Sequence, residues 1–598
     1  MTLSPAGKAA DPGLASVVDL FRARAQAQPD GRAYTFLENG EVEMSVVTYA
    51  ELDRQSRAIA ATLQRTLAPG SRALLLYPPG LEFIAAFLGC LYAGVLAVPA
   101  YPPHPARLAR TLPRLLAIVR NTEIGAVLCI ESIAATALAI LKEIPAMSQV
   151  DVVLTDRIDP ALAGAWSEPP LGPDSLAFLQ YTSGSTAAPK GVMVSHGNLL
   201  HNLAYLNECE GNGADSCGVS WLPAYHDMGL IEGILLPAFG RYPAYLMSPV
   251  AFLQKPLRWL QAISRYQATN SGGPNFAYDL CVRKITAEQR AQLDLSRWRV
   301  AYNGSEPVRN TTLASFAATF AECGFRSESH RPTYGLAEAT LLVSTSPPRS
   351  RPKIITVDAA ELANDRLLET TQTDRAPISL VACGSPDVET KAVIVHPQKL
   401  TRMPEGEIGE IWVAGPGVAQ GYWQRPEESE RVFKARIADS GAGPFLRTGD
   451  VGCFWRNELF ITGRIKDTII IRGRKLYPQD IEFTVENIHS AIRPGCSAAF
   501  SVTATEEERL VVAAEIDHGL VRRVADERAR DIQELIANVR EAIAEQHEVQ
   551  AYAVLLVAPG SIPKTSSGKC QRFECRSGFQ RGTLETVAHW IGTSEPAE

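Results

Sequence analysis

The feature that most constrains the fold is an alternation of short apolar runs with helical segments. Arg72–Tyr77, Gly94–Ala97, Ala126–Ile130 and Asp151–Leu154 read as buried strands, and helical stretches lie between them. That order points to an α/β architecture with parallel sheets, because parallel strands need crossover connections. Upstream, Ser16 to about Leu67 reads as helix, strand and helix. The uncharged run from Phe83 to Ala100 has about the length of a membrane span. It carries Gly89, Gly94 and Pro99 inside the alternating pattern, so it reads as a buried helix entering a buried strand.

After Ser346–Pro352, a Pro/Arg break, a polar segment continues to about Pro377, and Leu380–Phe460 is strand-like with Gly/Pro turns. This predicts a β-rich subdomain over 345–466 that closes a large N-terminal domain, 1–466. From Asp467 the pattern changes to an α+β unit, 467–598. Its strands are Ser497–Thr503, Arg509–Ile516 and Ala551–Val557, with a helix over about Arg523–His547. On that helix Ile532, Leu535, Ile536, Val539 and Ile543 fall at helical spacing and read as core.

A length of 598 residues requires two or more domains. The net charge is -7, and no Lys/Arg run is dense enough for a nucleic-acid patch. The 11 cysteines form no C-x-x-C pair, and the nearest spacings, Cys570 with Cys575 and Cys209 with Cys217, lack neighbouring His ligands. Free thiols in a reducing compartment are expected. Met1–Gly13 has no apolar signal-peptide core. The expected location is the cytoplasm.

The strongest local signal runs from Tyr181 to Gly191. After an apolar strand come Thr182, Ser183, Gly184, Ser185 and Thr186, then Pro189-Lys190-Gly191, with a helix expected near Asn198. Small residues let backbone N–H groups approach an anion, hydroxyls add donors, and Lys190 adds a compact charge. The spacing is not that of a Walker A loop.

This stretch resembles the phosphate-binding signature of the adenylate-forming superfamily, which includes acyl-CoA synthetases, peptide-synthetase adenylation domains and luciferases. The resemblance extends from about Leu20 to Gly578. Trp221–Leu230 is similar to the loop whose aromatic or histidine gates the acid site, here His226. Asn303, Gly304 and Ser305 resemble the adenine-contacting segment. Tyr334, Gly335, Leu336 and Ala337 precede Glu338 in a motif whose tyrosine stacks on adenine and whose glutamate holds Mg²⁺. The resemblance assigns ribose contacts to Asp450 and Arg464, an interdomain hinge to Asp467, and the mobile lysine of adenylation to Lys569.

Taken singly, none of these is diagnostic. A lone histidine is ordinarily structural, and a lysine in a Ser/Gly loop ordinarily points to solvent. Their joint occurrence in one order carries the inference. ATP and Mg²⁺ are the implied cofactors. The chemistry brings two anions together, so positioning and charge neutralisation dominate and the first step needs no general base.

Gly421-Tyr422-Trp423, Tyr334–Thr340 and Tyr477–Glu482 are similar to one branch, the fatty acyl-AMP ligases. That resemblance implies a medium- or long-chain fatty acid as substrate. It also implies transfer to the phosphopantetheine thiol of a holo acyl carrier protein, met in trans on a polyketide or peptide synthase. In this branch an inserted segment restrains the C-terminal domain and disfavours CoA, and 351–377 is the expected insertion. Lys475-Leu476 departs from the Asn-His or similar pair expected there. A long-chain acyl-CoA synthetase and an inactive acyl-binding homologue are the alternatives. Lys190, Glu338, Asp450 and Lys569 are all present, which argues against the second.

Overall fold

The computed structural model describes residues 13–101, 108–143, 150–182, 189–371, 378–471, 474–504, 507–525, 529–565 and 568–592. Two large sheets dominate the first two-thirds of the chain. One has six strands, with Arg72–Leu76 flanked by Ala126–Cys129 and Leu96–Ala100, all parallel. Its far edge is an antiparallel pair, Leu176–Thr182 and Lys190–Ser195. The other has eight strands. A parallel centre includes Gly218–Ser220, Asn270–Gly273, Val300–Asn303 and His330–Gly335, and antiparallel strands close both edges.

The uncharged run behaves as expected. Helix Glu82–Ala93 is buried from Phe83 onward, ends on Gly94 in the left-handed region at φ 69°, and feeds the buried strand Leu96–Ala100. No helix among the described residues is long and apolar enough to cross a membrane. The free cysteines are buried or partly buried. One expectation is corrected near the N-terminus. Two strands, Arg32–Glu38 and Val42–Thr48, lie between the first helices where one was expected. Val42 and Met44 are exposed, so the second strand has too weak an apolar signal to be read.

Lys391–Val395, Gly409–Ala414, Leu446–Trp455 and Glu458–Arg464 form an antiparallel four-stranded sheet. The polar segment that precedes it is structured where described. Ile354–Val357 pairs with Ile378–Val381, and helix Ala359–Ala363 starts on Asp358, whose carboxylate accepts from the N–H groups of Ala360 and Glu361. Ile355, Val357, Leu362 and Leu367 form one apolar cluster with Cys453, Phe460 and Tyr477. Asp365 is ion-paired with Lys475, and Arg456 lies 2.8 Å from Glu369. Residues 372–377 of the expected insertion lie outside the described residues.

From Ile469 onward the chain builds its own sheet, Ile492–Ala504, Glu507–Ile516, Ala551–Val557 and Thr586–Ile591. The helix expected over Arg523–His547 is two helices, His518–Ala525 and Ala529–His547. The stripe Ile532, Leu535, Ile536, Val539 and Ile543 is at most 3% exposed. Glu482, on helix Pro478–Ile488, grips helix Arg572–Arg581. Its two oxygens accept from Arg572 Nε at 2.6 Å and Nη2 at 2.7 Å, and Oε1 also accepts from Ala499 N–H at 3.0 Å. A buried, bidentate carboxylate of this kind is costly to break from one side, because the guanidinium keeps only its longer contact to Asp467, at 3.2 Å. Glu482→Ala should therefore lower the stability of this unit by about 3–5 kcal/mol. Hydrogen exchange of peptides from residues 469–592 across a urea series, read by mass spectrometry, measures this. A loss under about 1 kcal/mol would contradict the assignment.

Candidate active site

Lys190 stands at the mouth of a hairpin, paired with Thr182 across the antiparallel strands. Ser183, Gly184, Ser185 and Thr186 lie outside the described residues. Lys190 Nζ is 2.5 Å from Glu428 Oε1 and 4.8 Å from the centre of the Tyr422 ring. The Tyr422 hydroxyl donates to Glu338 Oε1 at 2.8 Å. The chain before Trp423 runs along the second hairpin strand. Met193 N–H donates to Gly421 O at 2.9 Å, and Trp423 N–H donates to Gly191 O at 2.7 Å. The lysine and Glu338 are thus joined through one tyrosine.

The turn that presents Glu338 is strained. Thr340 has φ 69° and ψ -63°, and the Leu341 N–H donates to Ala339 O at 2.8 Å, a γ-turn geometry rarely adopted by threonine. Thr340 Oγ1 donates to Gly417 O at 2.7 Å and so holds the turn. At Gly335 a Cβ would sit 1.8 Å from Leu341 O, which explains the glycine between Tyr334 and Leu336. Burial pushes the Glu338 carboxyl above its usual range.

Asp450 lies opposite Arg464 in the last hairpin of the β-rich sheet. Its oxygens accept from the Tyr334 hydroxyl at 2.8 Å and from Arg464 Nε at 2.7 Å. Beside it the strand Val300–Asn303 ends in a tight turn. A Cβ on Gly304 would sit 2.3 Å from Thr333 Oγ1, and Ser305 has φ 73°. The amide oxygen of Asn303 is buried without a partner among the described residues, a fit for an N–H donor such as an adenine amino group. Leu336 and Ala337 continue this wall into the Glu338 turn.

Lys569 approaches the same cleft from the loop before helix Arg572–Arg581. Its N–H donates to Thr565 Oγ1 at 3.0 Å, and its carbonyl accepts from Thr565 N–H at 2.7 Å. The neighbouring Gly568 lies against Phe276. Burial and the Arg464 charge lower the Lys569 pKa, while Asp227, Glu306 and Asp450 act to raise it. The charges of Asp227, Glu306, Asp450 and Arg464 all act on the half-buried Lys569, which places it near the other motifs.

His226 Nδ1 lies 2.6 Å from Asp227 Oδ1, and Asp227 also accepts from Met228 N–H at 2.7 Å. Burial acts to raise Asp227, but His226 and Lys569 pull it below the usual carboxylate range. Glu306 accepts from Phe276 N–H at 2.7 Å, and burial raises its pKa. Asp227, Glu306, Tyr422 and Glu428 were not singled out as site residues from sequence. The first three sit inside recognised motifs, whereas nothing in the sequence marks Glu428. Asp467, the expected hinge, accepts from Arg572 Nη1 at 3.2 Å.

Among the described residues no three His, Cys, Asp or Glu side chains converge to hold a metal. Glu338 alone fits Mg²⁺, which takes few carboxylates and draws its remaining ligands from phosphate oxygens and water.

Residues 21–423 match the family described as AMP-binding enzyme, and residues 466–589 match the Disco-interacting protein 2-like AMP domain. A medium-chain-fatty-acid–[acyl-carrier-protein] ligase, JamA of Moorena producens, is 47% identical over 96% of each chain. A long-chain-fatty-acid–AMP ligase, FadD32 of Mycolicibacterium smegmatis, is 37% identical over 96% of this chain and 95% of its own. The crystal structure of a fatty acyl-adenylate ligase from Legionella pneumophila, in complex with acyl adenylate and pyrophosphate, superposes with a TM-score of 0.73. It is 40% identical, covering 96% of this chain and 98% of that one. Fold, motif order and these likenesses converge: the chain belongs to the AMP-binding enzyme family and, within it, to the fatty acyl-AMP ligases.

Proposed function

We propose that the protein activates a medium- or long-chain fatty acid with ATP and relays the acyl group to the phosphopantetheine thiol of a holo acyl carrier protein. The observation that carries the first half is the Tyr334–Asp450–Arg464 cluster, with Lys569 on a loop packed against Phe276 and close enough for its charge to act on Asp450 and Asp227. A carboxylate oxygen of the acid attacks the α-phosphorus of ATP. The bond from that phosphorus to the pyrophosphate oxygen breaks, and no proton is transferred. Lys569 neutralises the two approaching anions, an interaction that strengthens as charge shifts in the transition state.

In this reading Asp450 and Arg464 hold the ribose, and Tyr334 with Asn303, Gly304 and Ser305 frames the adenine. The hairpin from Thr182 to Lys190 receives the leaving pyrophosphate. Bound through Glu338, Mg²⁺ would neutralise phosphate charge and fix the orientation of the leaving group. His226, oriented by Asp227, lines the entry of the acid. The assignment to a carrier protein on a polyketide or peptide synthase rests on family resemblance, and that to the cytoplasm on the free thiols expected of a reducing compartment.

The preference for a carrier protein over CoA is supported by the 351–371 segment. Its Asp365 pairs with Lys475, and its apolar side shares a cluster with Tyr477, so it restrains the chain just beyond Asp467. That restraint opposes the rotation about Asp467 by which the C-terminal unit would present a CoA tunnel. JamA, by its name, is likewise an acyl-carrier-protein ligase.

Lys569→Ala should slow acyl-AMP formation by about 10²–10³-fold, in the range for loss of one transition-state charge partner. Transfer from preformed acyl-AMP should change by less than about threefold, which removes the lysine from the second step. Pyrophosphate release and single-turnover transfer measure the two halves, and equal loss in both would contradict the division of roles. Offered CoA and a holo carrier protein together, the wild-type enzyme should load the carrier almost exclusively. Mass spectrometry of the products checks this, and rapid acyl-CoA formation would overturn the acceptor assignment while leaving the adenylation step intact.

A further inference from the structure

A pocket extends inward from the candidate active site. Asp227, Ser305 and Tyr334 stand at its active-site end, and Leu206, Met228 and Leu342 line its walls. An alkyl chain needs only apolar walls. The inner end is instead polar, bounded by Glu210, Glu232 and Arg331. Glu232 interrupts an otherwise apolar run, Met228–Leu235, wound as a π-helix, a distortion common at functional sites.

The three charged groups are unevenly satisfied. Glu210 Oε2 accepts from Asn270 Nδ2 at 2.6 Å and from Asn212 Nδ2 at 2.9 Å. Glu210 and Glu232 are hydrogen-bonded to each other, which requires one of them to carry a proton. Arg331 is 3% exposed, yet its Nε and Nη1 have no hydrogen-bond partner among the described residues. Two unpaired donors on a buried guanidinium are costly to leave unmade. Glu210 and Glu232 also border a second, very small pocket with Ser220, Tyr242, Asn270 and Tyr302.

We infer that this polar floor is a specificity site for a carboxylic acid whose chain carries an uncharged oxygen function, a hydroxyl or a keto group. Such an oxygen accepts from the free N–H groups of Arg331, and a hydroxyl can in addition donate to the Glu210–Glu232 pair. Charge favours a neutral group. Arg331 contributes one positive charge and the proton-sharing pair one negative, so a second carboxylate on the substrate would leave the floor with a net negative charge. The inference rests on the adenylation reading above, because it assumes that the acid's carboxylate lies beside Lys569.

The test is acyl-AMP formation, followed by pyrophosphate release, with saturated acids of one chain length. The plain acid is compared with series in which a hydroxyl or a keto group is moved carbon by carbon. At one position the oxygenated acid should exceed the plain acid in kcat/KM by at least about tenfold, as expected where buried polar groups are otherwise left unpaired. In Arg331→Met that ratio should collapse to within about twofold of unity. Glu232→Gln, which keeps the shape but not the shared proton, should alter the hydroxyl-to-keto ratio and serves if the arginine variant does not fold. A plain acid that matches or exceeds every oxygenated one overturns the inference and leaves adenylation standing. So does a preference that survives both substitutions. Absence of pyrophosphate release with any acid overturns the adenylation reading and the inference with it.

Discussion

The cleft is organised around one ammonium group that feels carboxylates contributed by another part of the chain. Lys569 lies on the loop before helix Arg572–Arg581, and Asp227, Glu306 and Asp450, whose charges act on it, come from three separate segments of the larger part. The reaction requires this, because a carboxylate and a triphosphate repel each other, and the repulsion grows as water is excluded from between them. A fixed positive charge in a partly dry cleft offsets that repulsion. Burial lowers the pKa of the amine and the neighbouring carboxylates act to restore it, so the environment that weakens the charge also supplies the groups that keep it.

The scaffold serves that placement. The Glu482–Arg572 grip fixes the helix that follows the lysine loop, and Arg572 also reaches Asp467. Across the cleft, Tyr334 and Arg464 lock the two oxygens of Asp450, while Tyr422 links Glu338 to the wall that carries Lys190. Two of the positive-φ non-glycine residues, Ser305 and Thr340, lie where these groups are presented. The Asp365–Lys475 pair and the Tyr477 contact then tie the 351–371 segment to the start of the C-terminal unit.

Much of this was legible in the sequence because the determinants are local. The short apolar runs gave their strands and the stripe from Ile532 to Ile543 gave its buried face. Contiguous motifs gave Lys190, Glu338, Asp450, Arg464 and Lys569. What escaped was set by distant packing. The exposed strand Val42–Thr48 has no strong pattern because only one of its residues is buried. The segment after Arg351 looked like a polar loop, since its few apolar residues find partners far along the chain. Glu428 and Arg331 gain meaning only when the fold brings Lys190 and the carboxyl pair beside them.

The central claim is that Lys569 is enclosed at the acyl-adenylate site. Competitive labelling of lysines with an amine-reactive reagent across a pH series, read by mass spectrometry, tests it most directly. The enclosed amine should titrate below an ordinary lysine, and a non-hydrolysable acyl-adenylate analogue should protect it from labelling. A Lys569 that titrates as a free surface lysine, and is labelled equally with and without the analogue, would contradict the account.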